Sequence, residues 1–117
     1  MTKHNQKIGA WGEKTAAVWL ASRGYEVSRR NVRTPYGEID IVAQKNNVIF
    51  FVEVKTLTSS KKFFPEHQIT PRKREHMLNA AMYYAAENGI EHWQIDVIAI
   101  EGKPGGAPVI QHFENIQ

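Results

Sequence analysis

A chain of 117 residues with 42% hydrophobic residues, three Trp, four Tyr and five Phe has the material for one packed core, so residues 1–117 are read as a single domain. It holds no cysteine, which excludes disulfides, thiolate nucleophiles and Cys-based zinc sites and leaves any metal to oxygen or imidazole ligands. The net charge of +3 favours an anionic partner; no window approaches the ~20 apolar residues that span a bilayer, and polar Met1 to Lys7 leads into no signal-peptide stretch, so a cytoplasmic protein without a membrane partner is expected.

From Asn5 to Arg23 the pattern is helical, with Ile8, Gly12, Thr15, Ala16, Trp19 and Leu20 on one broad face and Gly24 as the stop. Tyr25 to Arg30 reads as a short strand, and the polar stretch Asn31 to Tyr36, with Pro35, as a loop. Gly37 to Gln44 and Val48 to Lys55 are rich in Ile, Val and Phe, and the polar link Lys45-Asn46-Asn47 predicts a hairpin between them.

Thr56 to Ile69 has no period and carries Lys61-Lys62 and Pro65, which predicts an exposed, mobile loop. Thr70-Pro71 is a strong helix start, and Leu78, Ala81, Met82 and Ala85 form the expected buried stripe up to Asn88-Gly89. Trp93 to Ile100 reads as an apolar strand, 101–108 as a turn and Val109 to Phe113 as an edge strand. The order is α-β-β-β-α-β-β, an α/β class with a mixed sheet.

Chemistry concentrates on the hairpin. Side chains alternate along a strand, so Glu53 and Lys55 share a face with Phe51, while Glu38, Asp40 and Val42 share a face on the other strand. With Asn46 and Asn47 as a two-residue turn, Asp40 falls opposite Glu53 and Glu38 opposite Lys55. Two facing carboxylates repel. A divalent cation compensates them, and Mg²⁺ or Mn²⁺ suits one or two carboxylates plus waters and phosphate oxygens. Lys55 can then orient the attacking water and neutralise charge on phosphate. A lone E-x-K would more often be a solvated pair of charges; the facing Asp40 is what argues otherwise.

Glu13 lies on the first helix among Gly9, Ala10, Ala16 and Ala17, with no basic neighbour one turn away, and is a candidate for the same site or simply a boundary glutamate. Arg72, Lys73 and Arg74 fall in the first turn of the second helix, where cations oppose the helix dipole by about 0.3–1 kcal/mol each, a placement that makes sense if phosphate docks there. With Lys61 and Lys62 they form the expected nucleic-acid contact. Asp96 is read as held by hydrogen bonds or an arginine. His4, His67, His76, His92 and His112 lack zinc-site spacing.

Gly37-Glu-Ile-Asp-Ile-Val-Ala43, then Val52-Glu-Val-Lys-Thr56, with Gly12-Glu13 in the first helix, resembles the PD-(D/E)XK nuclease superfamily and, more closely, the small uncharacterised bacterial YraN-like candidate endonucleases. The likeness covers nearly the whole chain, including Asn31 to Arg33, Thr70 to Lys73 and Asp96 to Ala99. It implies a restriction-endonuclease-like α-β-β-β-α-β core and metal-dependent phosphodiester cleavage, with kinship to branched-DNA resolvases. Asp40 and Glu53 would be its metal ligands, Lys55 its lysine and Glu13 its helix acid. The proline that the superfamily name places before the aspartate is replaced by Glu38-Ile39, and there is no Q-x-x-x-Y element in the second helix.

The expectation is thus a nuclease acting on nucleic acid, DNA before RNA, with pairing of two chains left open. The runner-up is a non-catalytic nucleic-acid-binding module on the same scaffold. A third class is a protein-interaction domain using Phe63-Phe64 as an exposed anchor.

Overall fold

The computed structural model describes residues 3–57 and 63–116, the first three of these by backbone alone. Helix α1 (Lys3–Ser22) leads into strands β1 (Glu26–Thr34), β2 (Gly37–Lys45) and β3 (Val48–Leu57). A short helix α2 (Pro65–Gln68) and helix α3 (Pro71–Glu87) then cross to β4 (Trp93–Glu101) and β5 (Val109–Phe113). The strands form one sheet in sequence order, antiparallel except for β3 beside β4. The result is the expected α/β arrangement with a mixed sheet between helices.

Local chemistry explains the breaks. Gly24 at φ 90° ends α1, with the Tyr25 amide reaching Leu20 O at 3.0 Å and the Gly24 amide reaching Ala21 O at 3.1 Å, the paired closure that a left-handed residue permits. Asn46 and Asn47 take φ 53° and 65°, the left-handed pair of a two-residue hairpin, and Lys45 pairs with Val48. On α3 the Thr70 hydroxyl accepts the Lys73 amide at 3.1 Å and proline opens the helix.

Each sheet face has its own helix. On one, Ala16 and Leu20 of α1 pack against Ile41, Ala43, Phe50, Val52, Ile98 and Ile100. On the other, Ala80, Ala81 and Ala85 of α3 pack against Val42, Phe51 and Ile95. β4 is buried on both faces from Ile95 to Ile100, as expected of a strand with a parallel neighbour under helices. Burial of each Leu or Ile contributes about 1.5–3 kcal/mol, and these clusters hold both helices on the strands that carry the acids.

Several expectations change. The stretch 31–34, read as loop, continues β1: it is an edge strand of mostly polar residues in which only Val32 is buried. The segment after Lys55 stays in the sheet to Leu57 and folds again at Pro65; residues 58–62, on which the mobile loop and Lys61-Lys62 fall, lie outside the described residues. Phe63 is buried against Val97 and Ala99 and stacks edge-on with Phe113, leaving Phe64 alone of the pair exposed. On α3, Ala80 takes the buried place assigned to Met82, which is 51% exposed.

The alternation assumed for β2 also fails at one point. Ile39 packs in the α3-side cluster with Val42, while Ile41 packs on the α1 side. Glu38, Asp40 and Val42 therefore do not form one simple face. The cross-strand register of β1 and β2 sets Asn31 opposite Asp40, between the pairs Arg30–Ile41 and Val32–Ile39, and Asn31 stands at φ 54°. That left-handed residue turns the strand at the position facing Asp40.

Candidate metal centre

The two-residue turn sets the β2–β3 register, which runs from Lys45–Val48 to Ile41–Val52 and stops. In that register the Val54 amide would next face Ile39. Instead it donates to Asp40 Oδ2 at 2.8 Å, so the carboxylate of Asp40 occupies the place of a backbone acceptor where the strands part. Glu38 pairs along the backbone with Arg33 of β1, and Lys55 with Ala99 of β4.

Four carboxylates meet at this opening. One oxygen each of Glu13, Glu38 and Asp40 lies within 4.8 Å of the other two, and Asp40 shares a hydrogen bond with Glu53. Asn31, its amide nitrogen turned to the acids as its neighbours require, donates to Glu13 Oε1 at 2.7 Å and Glu38 Oε1 at 3.1 Å. Lys73 of α3 pairs with Glu53 at 3.1 Å. Glu38, Asp40, Glu53 and Lys73 line one cleft with Tyr36 and His76.

The electrostatics follow. Burial, the charge of Glu53 and the hydrogen bond with Glu53 push the Asp40 carboxyl up to about 8, against the pull of the Val54 amide; Glu13 adds to the rise. Glu13 is raised by burial, by Glu38 and by Glu53, while Arg30 and the Asn31 bond oppose the shift. Such a group of oxygens crowded at a partly buried opening is one that a hard divalent cation could neutralise. Its donor set is all oxygen, which fits such an ion and not a thiol-loving one.

Glu13 reaches the cluster because α1 approaches the sheet closely. A Cβ at Gly12 would lie 2.1 Å from Thr56 Oγ1 and 3.3 Å from Thr56 Cβ. Any larger residue would force Thr56 to turn or the helix to move away from β3.

The remaining predicted site residues are placed as follows. Lys55 is exposed and forms no ion pair among the described residues. Arg72 is exposed in the first turn of α3, and Arg74, half-buried, donates through Nη1 to Ile116 O at 3.2 Å. Lys73 faces the acids. Sequence reasoning missed Glu38 and Asn31 as members of the cluster. The available signal was register: Asn31, Asp40 and Glu53 stand abreast on three adjacent strands once β1 is recognised as extending past Arg30.

A second group, Asp96, His112 and Glu114, also brings ligand atoms within 4.8 Å. Asp96 is fully buried, and its oxygens accept from Gln94 Nε2 at 2.8 Å, the Asn115 amide at 2.9 Å and meet His112 Nε2 at 2.7 Å. It is held by hydrogen bonds as expected, with a histidine in place of an arginine, and it pins the chain end onto β4.

A model of the uncharacterised protein family UPF0102 matches residues 12–100. A UPF0102 protein of Syntrophotalea carbinolica is 37% identical, over 97% of this chain and 93% of its own. One from Treponema pallidum (strain Nichols) is 40% identical, over 89% and 85%, and one from Syntrophomonas wolfei 45% identical, over 68% and 70%. Among solved structures the chain is similar to Pyrococcus furiosus SfsA in complex with Ca²⁺, at 12% identity and a TM-score of 0.39, covering 94% of this chain and 63% of that one. With the matched span running from Gly12 through the whole acid cluster to β4, the chain belongs to the uncharacterised protein family UPF0102, the YraN-like group that its motifs resemble.

Proposed function

We propose that this protein is a metal-dependent endonuclease that hydrolyses phosphodiester bonds in nucleic acid, DNA and its branched forms first. The observation that carries the reading is the gathering of Glu13, Glu38, Asp40 and Glu53 from a helix and two strands at one opening, with Asp40 pushed up to about 8. Asp40 and Glu53 are the residues to hold Mg²⁺ or Mn²⁺, with Glu13 beside them. When bound, such a cation supplies Lewis acidity to the phosphate and the attacking water.

The protein's own groups do the rest. Lys55, exposed on the strand that carries Glu53, orients the water and neutralises charge developing on the phosphate. Arg72, with Lys61, Lys62 and Arg74, holds the backbone, and specificity follows shape more than sequence. The Lys73–Glu53 ion pair, which occupies one of the two ligands, favours a second reading: a binding module that cuts nothing.

Supercoiled, single-stranded and four-way-junction DNA incubated with Mg²⁺ or Mn²⁺ tests the two. The nuclease reading expects metal-dependent cutting that vanishes in Asp40→Asn prepared identically. The binding reading expects salt-sensitive affinity, no cutting, and no change on Asp40→Ala.

A further inference from the structure

We propose that Lys73 gates Glu53: in the free protein it holds the carboxylate in an ion pair, and it lets go when a substrate phosphate takes its place, so that cation and nucleic acid load the site together. This rests on the reading of the cleft as a cation-dependent nuclease site.

Lys73 lies in the first turn of α3, where a positive charge is disfavoured by the helix dipole. The nearby Glu53 at 3.1 Å offsets that cost. The pair is asymmetric: the Glu53 side chain is 18% exposed and that of Lys73 51%. The carboxylate is held in the cleft, while the ammonium sits at its mouth on a flexible stem that can swing to another anion.

Among the described residues Glu53 has two bonded partners in the cleft, Asp40 and Lys73. A cation recruiting Glu53 must displace the ammonium or bind against its charge. A phosphate at the mouth offers Lys73 a new partner and frees the carboxylate. Each ligand then raises the affinity for the other by the same factor, as linkage demands.

Mn²⁺ affinity, read from the electron paramagnetic resonance of the free ion, tests this without reference to cleavage. Lys73→Met should bind Mn²⁺ about 2- to 5-fold more tightly than wild type in the absence of nucleic acid, the range expected for a partly exposed ion pair. Lys55→Met removes an equal charge from the strand of Glu53 and sets the size of a bare charge effect, which should be smaller. Saturation with a single-stranded phosphorothioate oligodeoxynucleotide should tighten Mn²⁺ binding to wild type more than to Lys73→Met. Unchanged or weaker binding by Lys73→Met, or a gain no larger than that of Lys55→Met, overturns the gate. If the wild type binds Mn²⁺ and cuts while Lys73→Met shows no gain, only the gate falls; if neither protein binds Mn²⁺, the gate and the nuclease reading fall together.

Discussion

The Val54 amide donates to Asp40 Oδ2 at 2.8 Å at the point where the β2–β3 ladder stops. A side chain has replaced a backbone acceptor, so Asp40 is fixed between two strands and its carboxyl is partly desolvated beside Glu53. That arrangement opposes ionisation, and a pH dependence follows from it.

In the unfolded chain an aspartate ionises near 3.9, whereas folded Asp40 is pushed up to about 8. Between those limits the folded chain holds a proton that the unfolded chain has lost. Stability of the cation-free protein should therefore fall as pH rises from about 4 to about 8, and Glu13, also raised, contributes with the same sign. Asp40→Asn keeps an acceptor for Val54 and removes the Asp40 part of the slope. Calorimetry in EDTA should show the variant melting about 2–8 °C above wild type at pH 8, with the gap closing toward pH 4. Equal Tm values at pH 8 would contradict the assigned cause.

Gly12→Ala tests the helix placement. Its Cβ would meet Thr56 Oγ1 at 2.1 Å, with Thr56 Cβ at 3.3 Å and Cγ2 at 3.4 Å, so the threonine must turn or the helix must shift. Overpacking of this kind costs about 1–3 kcal/mol. Urea unfolding should show the loss, and cutting should fall with it because Glu13 is carried away from Asp40. A variant as stable and active as wild type would show that α1 can shift freely.

The hairpin turn, both long helices, the central strands and the pairing of acids were legible in the sequence because each has a local signal: an Asn-Asn turn, a Thr-Pro start, runs of Ile and Val. Edge strand β1 past Arg30 was not, since an exposed strand of Arg, Asn and Thr has the composition of a loop. Losing β1 hid Asn31, and with it the reason Glu38 joins Glu13 rather than facing Lys55. The Lys73–Glu53 pair joins a helix to a strand across the cleft, and no period along the chain encodes such a contact.

Lys55→Ala separates chemistry from folding. The side chain is exposed and unpaired among the described residues, so its removal should leave stability within about 0.5 kcal/mol. Single-turnover cleavage should slow by about 10²–10⁴-fold. Unaltered cleavage would remove Lys55 from the mechanism.

Asp96→Ala should do the reverse. It leaves Gln94, His112 and the Asn115 amide without their acceptor in a buried setting, at a cost of about 2–4 kcal/mol. Mn²⁺ affinity at a temperature where the variant stays folded should match wild type. A large drop in that affinity would mean that Asp96, His112 and Glu114 hold the cation instead.

Anomalous scattering from a crystal of the protein grown with Mn²⁺ tests directly whether Asp40 and Glu53 hold the cation. A peak bonded to Asp40 and Glu53 beside Glu13, absent from Asp40→Asn, is the expected result. No peak there at saturating Mn²⁺, or a peak only at Asp96 and His112, would contradict it.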